Sequence, residues 1–368
     1  MNAFCILFAN AYENNSISEI TKMRTPASIP YGGRYRLIDF ILSSLVKANV
    51  RDVGIITNNK FASLVDHVGM GKDWDLARKN GGLKVLPPYR DGVVSSHDDV
   101  FHSLYDVHGY IKDMLQEYCI LGNTNGVFNI DFLDVLDFHR TKGADITVVY
   151  RTAPVLKGDM EIQCDDEGRV NDAMLMTSDS DQPRSVTMKL YLMKKEVILS
   201  LIEKGATYGW GDFDLDVIAK HNDSIKIYGY EHKGYSAIIN SLESFYQSNM
   251  DLLNPAIQKE LFRSEYSIHT RIKDSVPTIY GENNSVKNSF VADGCYIGGS
   301  VENSVIFRDV KIDEGAVVKN SIIMQGAHIH AGAQLSSVIA DKNVSISEDI
   351  VLTGNPKVPF VINKGKVV

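Results

Sequence analysis

Cysteine is scarce in this 368-residue chain: Cys5, Cys119, Cys164 and Cys295 are its only 4, and no two stand at C-x-x-C spacing. That excludes a disulfide frame and a cysteine zinc site, and it predicts reduced, buried thiols. Long apolar runs are lacking too. The one near the N-terminus covers only Ala3 to Ala9, without a positive leader, and nothing approaches the ~18 residues of a spanning helix. No signal peptide or membrane segment is expected, and the protein is placed in the cytoplasm. Positive charge is not in excess: 38 basic against 46 acidic residues give a net charge of -8. This argues against nucleic acid or an anionic membrane as the main partner. A local basic pocket for a phosphate is compatible with that balance.

What is present is ordinary globular material, with 44% hydrophobic and 23% charged residues. Single cores usually stop growing near ~250–300 residues, so the length predicts two domains. Up to about residue 250, short β-branched runs alternate with amphipathic stretches. Ala3–Phe8, Asp52–Thr57, Tyr118–Gly122 and Ile146–Tyr150 are expected strands; 37–48, 101–115 and 132–142 are expected helices. That rhythm predicts an α/β domain with a mostly parallel sheet, whose ligands would collect at strand C-termini.

Beyond Leu253 the texture changes. A 17-residue step carries Ile312 to Ile329 to Ile346 and Val318 to Leu335 to Leu352, with apolar positions six apart inside each period (306, 312, 318; 323, 329, 335). This is the hexapeptide spacing of a left-handed parallel β-helix. The expected division is therefore 1–253 α/β, 254–287 linker and 288–368 β-helix. From Asn284 onward eight basic residues balance eight acidic ones, so the whole excess of -8 falls on the N-terminal part. A neutral solenoid with exposed ends suits packing against another protein surface, and oligomerisation is expected. His328 and His330 flank Ile329, a core position of the repeat, so both point outward. This favours a solvent or interface role over the general base of a hexapeptide acyltransferase.

The runs Tyr31–Phe40 (YGGRYRLIDF), Leu121–Gly122 followed by Asn129–Phe132, Asn303–Arg308, Asn320–Gly326 and Ser244–Leu252 resemble the glucose-1-phosphate adenylyltransferase family essentially end to end. The resemblance implies a nucleotidyltransferase-like domain, a C-terminal β-helix and a tetrameric assembly in bacterial glycogen synthesis. It also implies the attack of a sugar phosphate on the α-phosphorus of ATP, which requires phosphate-binding amides, cations and carboxylates holding Mg2+.

Those requirements are not met here. The family's G-G-x-G-T-R-L loop faces Ala11–Ile17, where no glycine remains and Ser16 stands for the arginine; the lysine before proline in K-R-A-K-P is Thr25 or Pro26, depending on the gap. The two metal aspartates become Asn123 and Ile238, and a hydrocarbon side chain offers nothing to a hard dication. The glycine of the S-M-G-I-Y run is Lys189, which either fills the sugar site or binds a phosphate; that of D-F-G-x-D is Asp214, between Asp212 and Asp216. No catalytic residue is therefore expected, and Asp131 is read as a turn support. Tyr89 is a candidate for residual nucleotide binding, and Arg24, Arg34 and Arg36 for an effector phosphate, the last two beside glycines, with an ion pair to Asp39 or a neighbouring helix as the plainer role.

The resemblance thus implies a catalytically deficient regulatory subunit that modulates a catalytic paralogue within a heterotetramer, or forms a homo-oligomer alone. No cofactor is expected on this chain, and Mg2+ belongs to the paralogue. An active sugar-1-phosphate nucleotidyltransferase with substituted ligands is the enzymatic alternative.

Overall fold

The computed structural model describes residues 1–10, 17–57, 60–87, 89–90, 93–94, 99–262 and 267–368, with backbone only at 89–90 and 93–94. The chain divides into two compact units whose segments alternate along the sequence. Met1–Ala11, Ile41–Phe61 and Val68–Ser236 form the first; Tyr12–Phe40, Ala62–His67 and Ala237–Val368 form the second. The expected cut after residue 253 is thus corrected, because the segment carrying the Gly-Gly-Arg run belongs with the β-helix.

In the first unit, Ala3–Phe8 lies between Asp52–Ile56 and Tyr118–Asn123, parallel to both, and Leu83–Leu86 extends the sheet in parallel. All six residues of Ala3–Phe8 are buried. A strand covered on both faces carries a continuous apolar run and no alternation. Ser180–Lys194 pairs antiparallel with Tyr118–Asn123 and with Ile146–Val155, which runs parallel to Ile227–Glu231. Gly122 leaves room where these strands meet: a Cβ there would lie 2.5 Å from Leu190 Cδ2, so that side chain would have to shift.

Helix Phe132–Lys142 starts at Asp131, whose carboxylate accepts the Leu133 N–H at 2.9 Å and pairs with Lys47 at 3.0 Å. Asp131 is accordingly a helix cap. The single helix expected over 101–115 is two, Val100–Asp106 and His108–Asp113. The backbone leaves the helical region at Val107, a β-branched residue whose side chain is buried in the core. Cys5 and Cys119 are buried, and desolvation pushes both thiols up, as it does Cys164 to about 11, so none is a ready nucleophile.

In the second unit, fifteen short strands stack into three parallel sheets of five, the walls of a left-handed β-helix. Ile306, Ile312, Val318, Ile323, Ile329 and Leu335, the positions picked out by the six-residue spacing, are all buried inside it. Corners turn through left-handed residues such as Asn288, Asn303 and Asn320, a conformation asparagine tolerates better than most. The expected linker 254–287 is corrected as well: it contains helix Pro255–Phe262 and the first two β-helix strands, Ile279–Tyr280 and Ser285–Lys287. Among the described residues no helix is long and apolar enough to cross a membrane.

Candidate functional site

Asn123 ends strand Tyr118–Asn123 and Ile238 ends strand Ser236–Ile238. An amide oxygen at one position and a hydrocarbon at the other do not fit Mg2+, which takes oxygen ligands and favours carboxylates. Thr25 is buried at the start of the turn Pro26–Ser28, its hydroxyl 3.2 Å from that of Ser28. It closes a turn and presents no cation. Ser16 and the side chain of Tyr89 lie outside the described residues.

Lys189 is in an ion pair. Its ammonium lies 3.3 Å from the buried Asp214 carboxylate and 4.0 Å from Asp212. Asp214 also accepts from the Tyr191 hydroxyl, and from Thr187 at 3.3 Å. The two glycines that the family resemblance calls for have thus become a lysine and the aspartate that neutralises it. The backbone keeps the glycine shape: Lys189 has φ 51, at a break in the strand register. Lys189 lies in a different unit from Arg24, Arg34 and Arg36.

Lys189→Met is expected to destabilise the first unit by ~3 kcal/mol, since it leaves Asp214 buried without its cation. Adding Asp214→Asn should recover roughly 1 kcal/mol or more of that loss in denaturant titrations. Strictly additive effects would mean that the pair is not coupled.

The second unit gathers positive charge. Arg34, Arg36, Arg271, Lys273, Arg308 and Lys342 line one open pocket, and no aspartate or glutamate is among its lining residues. On a chain of net charge -8 this is a strong local reversal. Several of these side chains are fixed from behind. Arg36 donates to the Ser63 hydroxyl at 2.9 Å, Arg308 to Asp293 at 3.0 Å, and Arg271 pairs with Asp66 at 3.2 Å. Arg34 stacks over Tyr35, with its guanidinium carbon 5.6 Å from the ring centre.

The crowding shows in the electrostatics. Burial, with repulsion from Arg36, Arg24 and Lys273, pushes Lys342 down to about 7. Burial pushes Arg36 down to about 10, with Asp39 opposing and Arg24 and Arg271 adding to the shift. Cations held this close suit a ligand with several anionic oxygens.

Of the three arginines singled out in the sequence, Arg34 and Arg36 line this pocket and Arg24 does not. Arg24 is buried and donates to both oxygens of Asp341, at 2.9 and 3.0 Å. Its partner is therefore Asp341. Asp39 instead accepts from the Arg36 backbone N–H at 2.9 Å and lies 2.6 Å from His67 Nε2.

Comparison with known proteins yields two family profiles and a set of relatives. The profile described as "Nucleotidyl transferase" matches residues 16–204, and that described as "GlmU-like, C-terminal hexapeptide" matches 275–358. The chain is 34% identical to the glycogen biosynthesis protein GlgD of Bacillus subtilis, covering 96% of this chain and 93% of that protein. It is 36% identical to GlgD of Geobacillus stearothermophilus, with the same coverage of 96% and 93%. The glucose-1-phosphate adenylyltransferase of Clostridium acetobutylicum is 27% identical, over 83% of this chain and 82% of the enzyme.

Proposed function

The chain belongs to the glucose-1-phosphate adenylyltransferase family of nucleotidyl transferases, and from that membership we propose that it serves glycogen biosynthesis as a regulatory subunit without turnover of its own. It joins a catalytic paralogue in a mixed oligomer and changes that enzyme's response to a phosphorylated effector. The observation that carries this reading is the neutral amide of Asn123 at a strand end where the reaction needs a metal carboxylate. Ile238 and the Lys189–Asp214 ion pair point the same way. Each lost charge-stabilising contact costs about 3 kcal/mol, or roughly 100-fold in rate, although such losses do not simply add.

The regulatory half of the proposal draws support from the pocket of Arg34, Arg36, Arg271, Lys273, Arg308 and Lys342. Two of its six basic side chains, Arg271 and Arg308, have a carboxylate partner in Asp66 and Asp293, so the pocket keeps an excess of positive charge for an anion. The ligand proposed for it is a small dianionic or bis-phosphorylated metabolite. Mg2+ acts on the paralogue.

The test is ADP-glucose formation from ATP and glucose 1-phosphate by this chain alone, by the paralogue from the same cell alone, and by the two mixed. This chain alone should fall at least ~1000-fold below the paralogue. The mixture should differ from the paralogue in rate, substrate affinity or effector response. Ordinary turnover by this chain would establish the alternative, an active nucleotidyltransferase with other metal ligands. A mixture identical to the paralogue alone would remove the regulatory role.

A further inference from the structure

On one outer face of the β-helix, Lys311–Ile312, His328–Ile329 and Ser345–Ile346 stack in parallel register. Ile312, Ile329 and Ile346 are buried inside the coils, so the residues flanking them project outward from successive rungs. Three of these converge. The Asp313 carboxylate oxygen Oδ2 lies 2.7 Å from His328 Nε2 and 3.7 Å from His330 Nδ1. One ligand atom from each residue falls within 4.8 Å of the other two, and no other group of three His, Cys, Asp or Glu side chains does so among the described residues.

We infer that Asp313, His328 and His330 form a binding site for one divalent transition-metal ion of the zinc class, clipping two successive coils together. Zinc sits about 2.0–2.2 Å from imidazole nitrogen and carboxylate oxygen, which in a tetrahedral site sets the ligand atoms roughly 3.3 Å apart. The two nitrogen-to-oxygen separations here, 2.7 and 3.7 Å, bracket that value. The imidazoles stack with their centroids 3.7 Å apart, so one ring must swing aside for both to reach the same ion.

Support behind the ligands is already in place. His330 turns its other nitrogen, Nε2, to the Ser345 hydroxyl at 3.1 Å, which fixes the ring with Nδ1 toward Asp313. Lys311 takes the other carboxylate oxygen of Asp313, Oδ1, at 3.0 Å, while Oδ2 holds His328 Nε2 by a hydrogen bond that the ion would replace. Two imidazoles and one carboxylate favour zinc, nickel, cobalt or copper over magnesium or calcium, which prefer oxygen alone. Three protein ligands leave the fourth position for water or for a side chain of another subunit.

The test uses the tag-free full-length chain, stripped with chelator and titrated with ZnCl2 by calorimetry, and with CoCl2 by visible absorption. One ion per chain is expected, together with a raised melting temperature. His328→Asn, His330→Asn and Asp313→Asn should each weaken the affinity about tenfold or more. His102→Asn, at an exposed histidine paired with Asp99, should leave it unchanged. Melting of each metal-free variant checks that it has folded, and the three independent ligand variants guard against a single one that fails to. Absence of saturable zinc binding below ~100 µM would overturn the site. So would affinity that survives in the folded His328→Asn/His330→Asn variant.

Discussion

Replacing Asp341 with alanine is expected to destabilise the second unit by ~3–5 kcal/mol. Arg24 is 4% exposed, and its two bonds to Asp341 are made by one guanidinium nitrogen. Its other terminal nitrogen, Nη1, is buried without a hydrogen-bond partner among the described residues. Removing the carboxylate strands a buried cation that already has one unsatisfied donor. Asp341 also accepts the Lys342 backbone N–H at 2.6 Å, so the turn there loses an anchor too. Arg24→Met combined with Asp341→Leu should be far milder, because an apolar pair fills the space with no charge left to desolvate. Denaturant titration separates the cases: an equal loss in both variants would mean that packing, and not the stranded charge, sets the cost.

Sulfate binding to the basic pocket should be about tenfold tighter at pH 6 than at pH 8, at constant ionic strength. Sulfate does not titrate in this range. Lys342, pushed down to about 7, is mostly charged at the lower pH and mostly neutral at the higher one, and a bound dianion favours the charged form. Lys342→Gln should remove most of this pH dependence, and Arg36→Ala should weaken binding at both values. For folding, the sign is opposite to that of a lysine in a salt bridge. The unfolded chain holds a proton on Lys342 up to its ordinary pKa near ~10.4, so stability rises with pH from about 7 toward that value and is lowest below 7. Affinity that is flat between pH 6 and 8 would mean that Lys342 does not touch the anion.

The β-helix interior was legible because its signal is a repeat of buried residues: Ile312, Ile329 and Ile346 occupy equivalent rungs and all face inward. The first coil was not, because Ile279 and Tyr280 are both exposed and offer no apolar-inside pattern. The break at Val107 was hidden for the opposite reason, since 101–115 keeps its apolar spacing through a kink in the backbone. The lost metal positions could be read residue by residue, as side-chain type alone decides whether a carboxylate is there. The pocket could be read only in part. Arg34 and Arg36 stand beside conspicuous glycines, whereas Arg271, Lys273, Arg308 and Lys342 come from three distant stretches that only the fold assembles. Lys189 and Asp214 were each visible as departures from glycine, but that the one charge answers the other required the structure. The grouping of Asp313 with His330 was within reach, since the two are one 17-residue step apart.

The short steps between paired rungs bear on how the second unit assembles and comes apart. Ser285 pairs with Ser300, 15 residues on, Val317 with Gln334, 17 on, and even the widest step, Val338 to Phe360, spans only 22. A wall whose every bond reaches only to the next turn behaves as a one-dimensional stack: growth can begin at any rung and spread both ways, with no long loop to close. Amide exchange should then be slowest around Ile329, which has neighbours above and below, and fastest at Ile279 and Phe360, which have a neighbour on one side only.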